Sequence, residues 1–293
     1  MIRPRLQRSW LSGPRGGPWW LGVAASWACA SAPPPDPEPP APPPPVLAHA
    51  LPLGGRVTYE FADTVRVETD GERVRFATEA GYRGLARLRY RNEAGELRVN
   101  ARLLEFEGHV SNPTTGSTRA SLADVDGEWD LALSRDGKPE TRSVPDLSDE
   151  VLAVVGTRDL LRLLFIPLPD AAAEVGSEWV DTVRTSDETP GVSQSTTAVV
   201  RTRVAEADDA SGRVVLTLES VTETTVRGTT SGGVDEPSTQ SLRGTIRRSA
   251  LWDVGLQRLL HYRASGRLTG TLRVEGLGEI PLTADVVREV RER

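Results

Sequence analysis

From Val57 onward apolar and polar residues alternate with a period of two, and that rhythm constrains the fold more than any other feature of the chain. Val57, Tyr59 and Phe61 alternate with Thr58 and Glu60, and Val65 and Val67 extend the run. Val74 and Phe76 alternate with arginines, as do Leu88 and Tyr90, and Leu97, Val99, Ala101 and Leu103 form a further run. Successive strand side chains point to opposite faces, so this spacing buries one face and wets the other, as in antiparallel sheet. Turn signals punctuate the runs: Asp70-Gly71, Ala94-Gly95, Asp126-Gly127, Asp136-Gly137, Ser211-Gly212 and Ser265-Gly266. Asp-Gly supplies the positive φ of tight hairpins, so the spacing predicts a meander of long neighbouring strands.

One segment departs from this rhythm. Between Asp146 and Phe165, Leu147, Val151, Leu152, Val155, Leu160, Leu161 and Leu164 recur at helical spacing. This predicts a helical segment over 146–166, capped by Ser148 or Asp146, divided at Gly156 and ended by Pro167 and Pro169. It separates two halves, about 55–145 and 172–293, that share short sequence echoes. Asp63-Thr64-Val65-Arg66 returns as Asp181-Thr182-Val183-Arg184, and Trp129-Asp130 returns as Trp252-Asp253. The expected fold class is therefore mainly β. It is a curved antiparallel sheet or open half-barrel of two similar halves, with the helical segment packing on the concave side. An outer-membrane barrel also alternates, but 5% aromatic content, the interior helix and the charged terminus Arg288 to Arg293 speak against one.

The N-terminus reads as an export signal over residues 1–30. Arg3, Arg5, Arg8 and Arg15 form a basic region, and the apolar run from Trp19 to Ala28 is too short for a bilayer, which takes about 20 apolar residues. Two readings of its end stand. Ala28-Cys29-Ala30 fits ordinary cleavage before Ser31, whereas Ser26-Trp27-Ala28-Cys29 resembles a bacterial lipobox, in which Cys29 is lipidated. The sole cysteine lies where the apolar run stops, which favours the lipobox. With Ala30 rather than Asp after Cys29, the resemblance to enterobacterial sorting implies the outer membrane, facing the periplasm. Residues 31–50 form a proline-rich tether, with ten prolines between 33 and 45 that favour an extended spacer of about 40 Å. The tether leads to one β-rich domain, 51–293. His49, next to the tether, is expected to be disordered.

Charge narrows the partners. The chain carries 35 basic and 41 acidic residues, with Lys138 the only lysine. Abundant arginine therefore reflects a GC-rich genome more than nucleic-acid binding. Without the four arginines of the signal, 31 basic residues face 41 acids, a balance that repels phosphate backbones. No nucleic-acid partner is expected. With one cysteine there is no internal disulfide, so stability rests on the core.

The segment Phe165-Ile166-Pro167-Leu168-Pro169, followed by Val175-Gly176-Ser177-Glu178-Trp179, resembles uncharacterised bacterial envelope lipoprotein families with the pattern F-x-P-L-P … V-x-V-G-D-x-W. This chain has Ala173 in place of the first valine and Ser177 in place of the aspartate. The resemblance implies a half-barrel similar to the LolA and LolB group of lipid and lipoprotein carriers, and it transfers no catalytic residue.

Chemistry-bearing constellations are sparse. There is no G-x-S-x-G elbow, and Ser231 lies in a polar, loop-like stretch. His49, His109 and His261 have no metal spacing, and each reads as structural or solvent-exposed. Asp124-Val125-Asp126-Gly127-Glu128-Trp129-Asp130 lacks the full ligand series of a calcium loop and reads as an Asp-Gly hairpin. Trp129, Trp179 and Trp252 are read as core side chains in preference to a sugar or lipid cleft. No catalytic residue, metal site or cofactor is assigned. The expectation is a non-catalytic envelope lipoprotein whose curved sheet holds a lipid, acyl chain or hydrophobic partner segment. A scaffolding module that binds another envelope protein is the alternative, and a hydrolase ranks third.

Overall fold

The structure, a computed structural model, describes residues 43–71, 75–112, 116–155, 160–189, 192–210, 213–230, 238–276 and 278–293. The export signal, Cys29, the tether up to Pro42, Gly156 and Ser231 lie outside them. In chain order the first-half strands are β1 (Val46–Leu47), β2 (Arg56–Asp70), β3 (Arg75–Glu93), β4 (Glu96–Asn112), β5 (Gly116–Ser121), β6 (Val125–Asp126), β7 (Trp129–Leu133), β8 (Pro139–Ser143) and β9 (Asp146–Leu147). After helix α1 (Asp149–Val155) come β10 (Ala171–Ala172), β11 (Glu178–Thr189), β12 (Val192–Ala210), β13 (Arg213–Thr230), β14 (Ser238–Asp253), β15 (Arg258–Val274) and β16 (Gly278–Glu292).

The main sheet runs β11-β12-β13-β14-β15-β16-β2-β3-β4-β7-β8, with β5 also on β4, and it is curved but not closed into a barrel. The halves join where the last strand pairs with the first long one, Val286 opposite Val65. The outer face carries exposed ion pairs such as Arg83–Glu107 at 2.7 Å and Arg267–Asp285 at 2.7 Å, while the inner face holds the buried Tyr59, Phe61, Leu88, Val99, Leu268 and Val286. A barrel in lipid puts its apolar face outward, so this polarity is that of a sheet bathed in water. Among the described residues no helix is long and apolar enough to cross a membrane.

The two halves repeat one another in detail. Asp63–Arg66 lies in β2 and Asp181–Arg184 in β11, the first long strand of each half. Trp129 and Trp252 are both buried, and each following aspartate pairs with an arginine of the neighbouring long strand, Asp130 with Arg98 of β4 and Asp253 with Arg213 of β13.

Several expectations change. The helical segment begins at Asp149, because Asp146–Leu147 pairs with β6 instead; Val151 N–H donates to the Ser148 hydroxyl at 3.4 Å. It continues as a 3-10 helix, Leu160–Leu164. Val151, Val154, Leu160, Leu161 and Leu164 are buried against the sheet, Val154 standing over Gly108. Asp126-Gly127 makes no hairpin, since β6 turns to β9 and not to β7. Ser265-Gly266 lies inside β15, where a Cβ at Gly266 would come 2.4 Å from the Thr245 carbonyl oxygen. Along β14 and β15 glycines face large side chains, Leu242 opposite Gly270, Gly244 opposite Leu268 and Ile246 opposite Gly266. Such large–small pairing lets neighbouring strands bend tightly around a filled interior.

The folded unit starts at Pro43 rather than at Leu51. Residues 43–50 form a strap: β1 pairs with β10, His49 N–H donates to the Arg135 carbonyl at 2.7 Å, and Ala173 N–H donates to the Pro45 carbonyl at 2.9 Å. Arg135 belongs to the β7–β8 turn and Ala173 leads into β11, so the strap bridges the two edges of the open sheet. Lys138 reaches Asp181 of β11 at 3.3 Å across the same seam.

Candidate functional site

Strand parity places one continuous row of side chains across the concave face. From edge to edge it is Trp179, Thr202, Ser220, Arg248, Ala264, Arg288, Asp63, Tyr82, Gly108 and Ala120, each directly opposite the next. Asp63 follows Tyr59 and Phe61 at even spacing on β2, so it faces inward and is buried. Its Oδ2 accepts from Arg288 Nε at 2.9 Å and from the Tyr82 hydroxyl at 3.1 Å. The hydroxyls of Thr202 and Ser220 lie 2.9 Å apart.

Arg248 has the same inward parity as Ile246 and Ala250 but no carboxylate. Among the described residues its guanidinium makes no ion pair, and its Nε is buried without a hydrogen-bond partner. Burial, opposed in part by Tyr262 and reinforced by the like charge of Arg288, pushes its pKa below the usual arginine value. Arg288 also faces a desolvation cost, but Asp63, Tyr262 and Tyr82 outweigh it and hold the guanidinium charged. Burial and then Asp63 push the Tyr82 phenol well above its ordinary value, which keeps it a proton donor. The belt thus sets two guanidinium groups against one carboxylate. A buried charge without a partner is costly unless something compensates it.

The belt divides two environments. On one side Tyr59, Phe106, Trp129, Trp252 and Leu259 form an aromatic-rich core packed with the 3-10 helix and the strap. On the other side the rows turn aliphatic and small. The first contains Thr222, Ile246, Gly266, Val286, Val65, Ala80 and Val110. Val65, Val67, Val110, Val226 and Leu272 are only partly buried there. Thr222 and Thr224 of β13, opposite Ile246 and Gly244, have buried hydroxyls without partners.

The residues singled out in the sequence scatter. Trp129 and Trp252 are core, and Trp179 is half-buried at one end of the belt. His109 and His261 lie on the outer face beside Glu79 at 3.4 Å and Glu289 at 3.1 Å. His49, expected to be disordered, is buried in the core, because the strap inserts it between Ile166 and Trp252. Asp124 accepts from Ser121 N–H at 2.7 Å and from its hydroxyl at 2.9 Å, and among the described residues no three potential metal ligands gather. A cleft of about 410 Å³ on the outer face, lined by Ser193, Ser195, Arg227 and Thr271, is open and hydroxyl-rich. The sequence reading named Asp63 only as part of an echo and Arg288 only as part of a charged terminus, and it passed over Tyr82 and Arg248, although parity with the residues flanking them marks each as inward.

No protein-family model matches this chain, and no curated protein does. Among solved structures, Salmonella typhi OmpF in complex with daunomycin superimposes with a TM-score of 0.22 and 8% identity, over 80% of this chain and 97% of that one. A superposition that weak transfers nothing to the present chain.

Proposed function

We propose that this is a non-catalytic protein of the bacterial envelope that holds a lipid or other long apolar chain against the concave face of its sheet. One observation carries the reading. The first row beyond the belt is apolar, and at its β2–β4 end Val65, Ala80 and Val110 remain partly exposed, whereas Ile246 and Val286 at its other end are buried. Apolar surface left uncovered inside a curved sheet costs free energy, and burying an alkyl chain there recovers roughly 25 cal/mol per Å². Delivery to the envelope rests on the export signal, with lipidation at Cys29 anchoring the protein to the outer membrane. Native mass spectrometry of the purified protein is expected to reveal co-purifying lipid. A clean apo mass, together with no response to fluorescent lipid probes, would remove the reading.

A further inference from the structure

We propose that a notch at the edge of β4, on the outer face, is a binding site for a phosphate monoester held by Arg87, Arg89 and Arg102. The site is separate from the concave face and does not depend on the reading above. It begins with a break in the sheet. β5 pairs with β4 only from Glu107 onward and β7 only up to Ala101, so residues 102–106 of β4 have no strand partner on that side. The register against β3 also shifts there, between Leu85 and Ala86, which leaves Leu104 as a bulge in the same gap. Leu122, in the 3-10 turn after β5, and Glu128, just before β7, face the space that remains, a notch of about 180 Å³. Leu103 and Leu104 complete its apolar lining, and Arg87, Arg89, Asn100 and Arg102 its polar one.

The charges at the notch break the pattern of the outer face. Elsewhere arginines stand opposite acids: Arg83 opposite Glu107, Arg203 opposite Glu219 and Arg267 opposite Asp285. Here Arg87 stands opposite Arg102, and Arg89 opposite Arg56, all four exposed. Like charges directly opposite one another destabilise a sheet, so the arrangement calls for an anion. Among the described residues none of the four makes an ion pair, and acids of adjoining strands are engaged elsewhere, Glu60 with Arg293, and Glu96 and Asp130 with Arg98. Glu105 lies beyond the bulge, opposite Leu85. Arg91 donates to the Asn100 side-chain carbonyl, which leaves the Asn100 amide N–H groups as further donors. Three lining guanidinium groups against the one carboxylate of Glu128 leave two positive charges. A phosphate monoester carries about −1.5 to −2 at neutral pH and offers three oxygens to forked guanidinium donors, whereas a carboxylate brings a single charge. The notch is smaller than the roughly 300–1,000 Å³ of drug-sized sites, so it suits a phosphate and the first atoms of its ester, not a polymer.

The test is calorimetry on the purified protein at low salt with four probes: inorganic phosphate, glycerol phosphate, dihexanoyl phosphatidate and acetate. The phosphate probes are expected to bind at least roughly tenfold more tightly than acetate, and added salt should weaken them. R87Q and R102Q should each lose about tenfold, the scale of one charge-assisted contact. R83Q, which removes an arginine of the same strand already paired with Glu107, should stay within about twofold of the parent. Removing one of two facing like charges should leave R87Q and R102Q melting no lower than the parent, so loss of the fold would not mimic loss of the site. Tighter binding of phosphatidate than of glycerol phosphate supports the site and assigns it a lipid head group. Equal binding of the two supports it with a soluble phosphate ester as ligand. Binding of none of the phosphate probes, acetate bound as tightly as they are, or affinities unchanged in both R87Q and R102Q would overturn the proposal.

Discussion

The His49 imidazole sits 5.0 Å from the Trp252 ring and 6.4 Å from that of Phe165, and its Nε2–H donates to the Ile166 carbonyl at 2.8 Å. Burial is the largest influence on it and lowers its pKa from 6.5 to about 4, against the opposing effects of Ile166 and Asp136. Between those values the unfolded chain binds a proton that the folded chain refuses, so the fold loses stability as pH falls from 6.5 toward 4 and keeps this contribution above 6.5. Denaturant unfolding should therefore show a loss of about 2 kcal/mol between pH 6.5 and 5, at about 1.4 kcal/mol per unit. His49→Gln should flatten that slope; an unchanged slope would mean that other groups carry it. Asp63 marks the same scale differently. Its parity with Phe61 and Val65 was visible in the sequence, but the arginine opposite it lies 225 residues away, and only the β16–β2 pairing brings the two together.

At the scale of elements, the strap is the piece whose role the sequence concealed. A proline-rich run has no packing signal of its own, and Val46–Leu47 is too short to display a period. The strap orders because Leu47 is fully buried and its backbone pairs with Ala171–Ala172. A protein starting at Leu51 should be less stable than one starting at Pro43 by at least about 3 kcal/mol, the scale of losing one buried leucine with its neighbours. Thermal or denaturant melts of the two would check this, and coincident transitions would reduce the strap to a passive lead-in. The helical segment was legible because its leucines recur at helical spacing. Its start was not, since Asp146–Leu147 had a strand partner in Val125–Asp126 that local pattern cannot reveal.

For the whole molecule, the polar outer face and the apolar inner face argue for a sheet whose outer side meets water. If Cys29 is lipidated, the protein should partition with membranes and take up a clickable palmitate analogue during growth, and Cys29→Ser should abolish the label and release the body. Labelling that survives the substitution would exclude Cys29 as the anchor.

What the sequence determined alone was the class of structure. Period-two alternation dictates pleated sheet with one buried face, turn residues divide it into long strands, and the echoes of Asp-Thr-Val-Arg and Trp-Asp disclose two similar halves. These are local properties, set by the geometry of one strand or one turn. Tertiary structure decided which strands meet. Pairing of β16 with β2 joined the halves, a strap bridged the open edges, and inward-facing charges from three strands fell into one row. Such juxtapositions depend on register between residues far apart in sequence, where a single chain carries pattern but no distances.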